Sequence, residues 1–204
     1  MANPRLFVAS GIFHPEPGGP ATYLHEILPA LQARGWQVRV LAYGDPALQG
    51  DYPYPVQRIA RGLLPLRLFH YARAARRALA QADVAYLHTT ELPLIGHAQV
   101  PRVMKIVGDR AWERSIERGW IAPDTDIDDF QLVPYDARVE AFKESRTRQV
   151  QAMRAVIVPS EYLKRMVVGW GIPAERVHVV YNALPDWDGV RLPQAAARAQ
   201  LGLP

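Results

Sequence analysis

The stretch RLFVASGIFHPEPGGPATYLHEILPALQARGWQVRVLAY, residues 5–43, contains in order a strand, a glycine-rich loop, a helix and a second strand. The apolar runs at 5–10 and 37–43 have the length and the bulky side chains of buried strands. Between them, four apolar residues recur at helical spacing, namely Leu24, Ile27, Leu28 and Leu31. A strand that leads through a helix into another strand predicts the first unit of an α/β fold.

The same alternation continues along the chain. Further apolar runs predict strands at 55–60, 83–88, 102–108, 154–160 and 176–182, the first of them at a sheet edge because of its prolines. Helical patterns lie at 65–82, 110–120, 137–153 and after Ser160. Because strands that are buried on both faces are continuously apolar, we predict a Rossmann-like, doubly wound, mostly parallel sheet over residues 1–185. Residues 186–204 carry a weaker pattern with a lone helix.

Composition narrows the class of protein. Hydrophobic residues make up 49% and charged residues 22% of the 204 residues, which is typical of a folded globular protein. The absence of cysteine excludes disulfides, thiolate metal sites and cysteine nucleophiles. Basic residues exceed acidic ones by 24 − 20 = 4, which is compatible with an anionic partner, but no nucleic-acid-binding motif accompanies them. No secretory signal or membrane-spanning run is present, and we expect a cytoplasmic protein.

The dipeptide Gly18-Gly19 lies where the first strand leads into the first helix. In a parallel α/β sheet this edge binds ligands, and bare glycine lets the backbone approach them closely. The sequence has neither the dinucleotide pattern GxGxxG nor the phosphate-binding pattern GxxxxGK[ST] at this position. Two interpretations therefore stay open from the residues alone, an ordinary tight turn and a ligand-binding loop.

Two blocks carry a family resemblance. PEPGGPATYLHEILPALQARGWQVRVLAY (15–43) and AVIVPSEYLKRMVVGWGIPAERVHVVYNAL (155–184) resemble the beginning and the end of the N-terminal domain of retaining glycosyltransferases of family 4. The resemblance implies one half of a GT-B fold, in which two Rossmann-like domains face each other across a cleft. It also implies that residues 1–185 form the acceptor-side domain and that 186–204 form a hinge and the start of a donor domain.

The same resemblance implies a reaction. Members of the family transfer a sugar, here of hexosyl type, from a nucleoside-diphosphate sugar to a hydroxyl of a sugar, lipid or small-molecule acceptor, without metal or cofactor. Their donor motif, two glutamates after a basic residue, belongs to the second domain and has no counterpart here. We therefore expect this chain alone to be inactive. Two other functions stay open, a non-catalytic sugar-binding or scaffold module and a fragment of a GT-B-like sugar-nucleotide epimerase.

Site candidates follow from the matched positions. Gly18 and Gly19 match the family loop that approaches the donor phosphates and the acceptor. In KIVGDRAWE (105–113), Gly108 stands where many members have a sugar-contacting histidine, and Asp109 remains as the one catalytic candidate. A helix N-cap is the structural alternative for Asp109.

The other candidates follow the ends of predicted strands or begin predicted helices. They are His14, His88, Glu91, Lys105, Trp112, Ser160, Glu161 and Asn182. For each of them a structural role is the alternative: a buried anchor for Trp112, a helix cap for Ser160, a dipole partner for Glu161 and a turn for Asn182. Lys105 on an apolar strand is expected to turn its ammonium towards the cleft.

Two charged segments each allow a second interpretation. DTDIDD (124–129) lacks the glycine and glutamate of a calcium-binding EF-hand loop at the required positions, where Asp129 and Tyr135 stand, so it predicts an exposed capping loop rather than a metal site. RGLLPLRLFHYARAARRALA (61–80) is basic and amphipathic. It predicts a sheet-covering helix with solvated arginines, and peripheral contact with the inner face of a membrane is the alternative. An exposed cleft face also predicts self-association of the isolated chain.

Overall fold

A computed structural model describes residues 3–48, 50–183 and 192–203. Within these residues, seven strands form one sheet: β1 Arg5–Ser10, β2 Gln37–Tyr43, β3 Val56–Ile59, β4 Val84–Leu87, β5 Arg102–Lys105, β6 Ala155–Val158 and β7 Val177–Val179. Their order is β3-β2-β1-β4-β5-β6-β7, and every neighbouring pair is parallel. The predicted Rossmann-like parallel sheet is confirmed, including the edge position of β3.

Helices cover the sheet, as the alternating sequence pattern predicts. They are α1 Gly19–Ala33, α2 Leu64–Leu79, α3 Arg110–Glu117, α4 Ile127–Leu132, α5 Ala137–Gln151, α6 Glu161–Gly169 and α7 Gln194–Gln200, with a 3₁₀ turn at Ala174–Arg176. The α1 residues Leu24 and Leu28 are buried in an apolar cluster with the β1 residues Leu6 and Val8. Residues of α2, α5 and α6 are buried in a separate cluster with alternate strand residues. The sheet is therefore covered on both faces.

The segment between α3 and α5 differs from the prediction of an exposed loop. It contains the short helix α4, which begins because the Asp126 carboxylate accepts hydrogen bonds from the backbone N–H groups of Asp128 and Asp129. Phe130 on α4 is fully buried in a third apolar cluster with Ala111 and Val139. Asp126 is a cap, as expected, but the helix that it caps is α4.

The α2 helix covers the sheet as predicted, with its buried face formed by Tyr71, Ala74, Ala75, Ala78 and Leu79. The start of the helix leaves four large apolar side chains exposed, namely Leu63, Leu64, Leu66 and Phe69. None of the described helices is long and apolar enough to cross a membrane. The α7 helix buries no side chain, and the domain boundary predicted at 185–186 lies outside the described residues.

Candidate functional site

A cleft of about 720 Å³ opens at the carboxyl edge of the sheet. It lies where the strand order reverses, between β1 and β4. Loops that follow β1, β4 and β5 form much of its wall, because residues 10–12, 88–92 and 104–108 all line it. Open parallel α/β sheets bind ligands at this switch point. The cleft is therefore the candidate functional site.

The glycine loop leads from β1 into α1 beside this cleft. Gly18 has φ +147° and ψ 148°, a conformation essentially restricted to glycine. Apart from its chain neighbours and its own helix backbone, no atom of the described residues lies within 4 Å of a Cβ placed on Gly19, so a ligand can approach the backbone closely there. Pro20, the next residue, lines the cleft. No described side chain caps the start of α1, so its first N–H groups, other than at Pro20, which has none, can bind an anion or water.

Lys105 and His88 lie together in the cleft wall, and both are almost fully buried, with 3% and 5% of their surface exposed. The Lys105 Nζ atom donates a hydrogen bond of 2.6 Å to Asn182 Oδ1 and lies 3.5 Å from the centroid of the Tyr23 ring. The Tyr23 ring is 5.2 Å from the imidazole of His88, centroid to centroid. A cation, an amide, a phenol ring and an imidazole from four parts of the chain thus form one cluster.

The imidazole of His88 has no hydrogen-bond partner at either ring nitrogen among the described residues. Burial lowers its pKa to about 4; the polar backbone of His88 itself opposes that shift, and the positive charge of Lys105 adds a smaller lowering. His88 is therefore neutral near pH 7 and offers one N–H donor and one nitrogen acceptor. A buried polar group without a partner is costly, and that cost is removed when an anion or hydroxyl oxygen accepts from the N–H and a separate ligand hydroxyl donates to the other ring nitrogen.

Asp109 has a different environment from the one that a ligand-contacting carboxylate needs. Its side chain is fully buried, forms an ion pair with Arg146 and accepts a 2.9 Å hydrogen bond from Gln131 Nε2. Its other oxygen caps α3 by accepting from the backbone N–H groups of Ala111 and Trp112, at 2.9 and 3.5 Å. Both oxygens are thus already bonded within the protein. The predicted N-cap is observed, and the predicted contact with substrate is not supported by this geometry.

Arg146 connects the Asp109 carboxylate to the cleft. Its guanidinium lies 3.9 Å from the centroid of the Trp170 ring and also lines the cleft. Burial lowers the pKa of Arg146, whereas the Asp109 carboxylate opposes that shift. Gln131 joins the network from α4, because its Oε1 atom accepts a 2.9 Å hydrogen bond from Trp170 Nε1. These contacts hold the backbone of Gly108 and Asp109 in place shortly after the carboxyl end of β5.

The cleft lining has more basic than acidic side chains. Its charged side chains are six basic residues and two acidic ones: Arg61, Arg67, Lys105, Arg110, Arg114 and Arg146, with Glu91 and Glu113. Four of the cations have carboxylate partners, in the pairs Arg61–Glu16, Arg110–Glu113, Arg114–Glu91 and Arg146–Asp109. Lys105 and Arg67 form no ion pair with any residue in the described part of the chain. The lining therefore favours an anionic ligand.

Four of the sequence candidates line the cleft: His88, Glu91, Lys105 and Gly108. Asn182 reaches the same cluster through Lys105. Glu91 adopts φ +66° and its carboxylate pairs with Arg114 at 3.1 Å. The ligand roles of these residues remain predictions.

The remaining candidates, Gly18 and Gly19 among them, lie outside the lining, and several of them make structural contacts. His14 stacks on His25, and its carbonyl accepts hydrogen bonds from Tyr52 and Arg58. Trp112 donates to the carbonyl of Thr125 at 2.9 Å. Ser160 caps α6 by accepting from the N–H of Leu163 at 3.2 Å, and Glu161 is exposed in the first turn. The helix cap given above as the alternative for Ser160 is therefore observed, whereas Trp112 is half-buried at the edge of the third apolar cluster rather than a buried anchor.

Sequence reasoning missed three residues of the site. Tyr23 belongs to the α1 pattern and carries no separate signal, although its position one turn after the glycines brings it to the same edge. Arg67 and Arg146 reach the cleft from α2 and α5, and local sequence gives no sign of that. Among the described residues no group of three or more histidine, aspartate and glutamate side chains is arranged to hold a metal ion.

Comparison with known proteins identifies the class. The sequence matches Glycosyltransferase Family 4 over residues 17–186, and the fold is one half of a GT-B arrangement. The chain therefore belongs to Glycosyltransferase Family 4. A search of curated protein sequences found no match.

Solved structures with the same fold have low sequence identity to this chain. Anabaena HepE, solved in complex with UDP and glucose, is 18% identical at a TM-score of 0.60, covering 97% of this chain and 50% of that one. UDP-GlcNAc 2-epimerase from Methanocaldococcus jannaschii is 15% identical at a TM-score of 0.54, and the match covers 86% of this chain and 45% of the epimerase. Phytolacca americana UGT2, complexed with UDP-2-fluoro-glucose and pterostilbene, is 12% identical at a TM-score of 0.55, and the match covers 92% of this chain and 56% of UGT2. The chain thus spans about half the length of these proteins.

Proposed function

We propose that this chain is the acceptor-side domain of a retaining glycosyltransferase that moves a hexosyl group from a nucleoside-diphosphate sugar to an acceptor hydroxyl. The observation that carries this function is the match to Glycosyltransferase Family 4 over residues 17–186. Support comes from the basic cleft at the switch point of the sheet. Further support comes from the HepE structures, which were solved with UDP and glucose and with UDP-glucose.

The proposed domain organisation follows the same comparison. Residues 1–185 are assigned to the acceptor side, and 186–204 to a hinge and the start of a donor domain. Support comes from the coverage figures, since the chain corresponds to half of HepE. In this arrangement the nucleotide sugar is held mainly by the second domain, and it meets the acceptor across the cleft described above.

In the proposed reaction, the acceptor hydroxyl attacks the anomeric carbon from the side of the leaving group. Its proton passes to the departing diphosphate, and the sugar configuration is retained. The cleft residues orient the acceptor and stabilise the charge that develops in the transition state, which lowers the barrier without a covalent intermediate. Neutral His88 accepts or donates one hydrogen bond to a hydroxyl, and the open backbone at Gly19 lets the sugar or phosphate approach α1. No metal or cofactor is expected.

The experiment is an assay of the longer protein that this domain organisation requires. It is incubated with a panel of nucleotide sugars and acceptors, and release of nucleoside diphosphate is measured with and without acceptor. The anomeric configuration of the product is read by NMR. Acceptor-dependent release with retention is the expected result. Inversion would contradict the retaining mechanism, and saturable sugar binding without turnover would indicate a sugar-binding module.

An epimerase is the second candidate, because UDP-GlcNAc 2-epimerases share this fold at TM-scores of 0.51 and 0.54. An epimerase needs no acceptor. Conversion of a nucleotide sugar in the absence of any acceptor would therefore favour it over transfer.

Peripheral membrane contact by α2 belongs to the same proposal, with the protein at the cytoplasmic face. Leu63, Leu66 and Phe69 are 74%, 55% and 60% exposed, and the arginines of the helix supply positive charge beside them. Sedimentation with vesicles that contain anionic lipid tests it. We expect the chain to bind these vesicles and the double substitution Leu66→Ser, Phe69→Ser to abolish binding. Equal binding to neutral vesicles would contradict the proposal.

Analytical ultracentrifugation tests the proposed self-association of the isolated chain.

A further inference from the structure

Lys105 is a buried cation without a carboxylate partner among the described residues. Only 3% of its surface is exposed, yet its ammonium has three N–H donors and, among the described residues, one oxygen to accept them, Asn182 Oδ1. The Tyr23 ring faces the charge at 3.5 Å and compensates part of the lost hydration. Buried lysines are almost always paired, because dehydrating an ammonium is costly. One donor bonds to Asn182 and a second can face the Tyr23 ring, so at least one has no acceptor in the described part of the chain, and Lys105 lines the cleft.

The second observation is the neighbouring imidazole. His88 is 5% exposed, lines the same cleft and leaves both ring nitrogens without a partner in the described part of the chain. As a neutral imidazole it adds one donor and one acceptor to the free donors of Lys105. Arg61, Arg110, Arg114 and Arg146 do not have this character, since carboxylates of the protein pair with them. Arg67 forms no ion pair with the described residues either, but it is only half-buried and its guanidinium lies over the Tyr43 ring, 5.2 Å from the centroid.

We infer that Lys105 and His88 form a binding site for an anionic group, a carboxylate or a phosphate, carried by the acceptor. The oxygens of such a group accept hydrogen bonds from Lys105 Nζ and from the N–H of His88, while the remaining imidazole nitrogen accepts from an adjacent hydroxyl. Asn182 and Tyr23 position the ammonium and do not contact the ligand. The substrate class is therefore an acidic sugar or a phosphorylated acceptor, in preference to a neutral sugar.

Assignment of the anion to the acceptor rests on the proposed function, but the binding site itself does not. The anion can also come from the diphosphate of the donor, which shares this chemistry. The experiment therefore compares four probes with the 204-residue chain: glucose, glucose 6-phosphate, glucuronate and UDP. Binding is followed by chemical-shift titration of the ¹⁵N-labelled chain.

Glucose 6-phosphate and glucuronate are expected to bind at least tenfold more tightly than glucose, with shifts centred on residues 88–91 and 105–109. Lys105→Met should lower both anion affinities to the level of glucose. Lys164→Met removes the same charge outside the cleft lining and should leave them within twofold. Because an unpaired buried ammonium is costly, Lys105→Met should also melt at the same temperature as the unsubstituted chain, or higher.

Equal binding of glucose and the two anions would overturn the inference. It would also be overturned if Lys105→Met retains anion affinity within twofold, or if it melts lower while binding persists. Tighter, Lys105-dependent binding of UDP would overturn the acceptor assignment. Should Lys105→Met not fold, the titration of the unsubstituted chain still decides, since its shifts either map to this cluster or do not. If the anions bind at Lys105 but the longer protein transfers no sugar, the proposed function is refuted and the anion-binding site is not.

Discussion

Replacing Asp109 with alanine should destabilise the fold far more than the loss of a helix cap. Asp109 is fully buried, and Arg146 retains only 7% exposure, so alanine leaves a buried guanidinium without its carboxylate. Removing one partner of a buried ion pair costs about 3–5 kcal/mol. Loss of the α3 cap adds about 1 kcal/mol. We therefore expect the free energy of unfolding to fall by about 4–6 kcal/mol, a large part of the stability of a domain of this size.

The assay is urea denaturation followed by circular dichroism, with two comparison variants. Asp126→Ala removes an exposed cap of similar geometry from α4 and should cost about 1 kcal/mol. Asp109→Asn keeps a capping oxygen but removes the charge, and adding Arg146→Met to it should recover most of the lost stability, because both charges are then gone. If Asp109→Ala and Asp126→Ala cost the same, the buried ion pair does not stabilise this fold.

Two further predictions concern the glycine loop and His88. Gly19→Val should leave the melting temperature nearly unchanged, because its Cβ meets nothing, yet abolish most sugar transfer by the longer protein; unchanged transfer would make Gly19 a plain turn residue. Gly18→Val, the matched comparison, should instead lower stability by about 1–3 kcal/mol through its φ of +147° and its contact with Ile12. The low pKa of His88, about 4, means that the unfolded chain binds a proton at pH values where the folded chain does not. The free energy of unfolding should therefore fall as the pH drops from about 6.5 to about 4, by about 3 kcal/mol more than it falls in His88→Gln. Parallel curves of unfolding free energy against pH for the two proteins would contradict this prediction.

Much of the fold can be predicted from the sequence because strands and helices here follow local rules. Each predicted strand is present, and the alternation with helices is sufficient for the parallel sheet. The run at 102–108 extends past the observed end of β5 because its last residues, apolar though they are, form the cleft loop. The α4 helix escapes prediction because it has only six residues, and its stability comes from the Asp126 cap and the burial of Phe130 rather than from a repeating pattern.

The site can be predicted only in part, because its contacts join distant parts of the chain. The position of Lys105 in the cleft follows from a cation at the end of a buried strand. Asp109, in contrast, looks like a cleft carboxylate until Arg146 is placed against it, and the two residues are 37 positions apart. His14 similarly contacts Tyr52, 38 positions away, which no local signal indicates.

The measurement that tests the central claim most directly is a turnover assay of the 204-residue chain itself. The chain is incubated with nucleotide sugars and with neutral, acidic and phosphorylated acceptors, and released nucleoside diphosphate is measured, after circular dichroism has shown that the chain is folded. If the chain is the acceptor-side half of a glycosyltransferase, it binds acceptors weakly and releases no nucleoside diphosphate above background, while the longer protein does so in the presence of an acceptor. Robust acceptor-dependent turnover by the 204-residue chain alone would contradict this and would require a complete active site within the cleft described here.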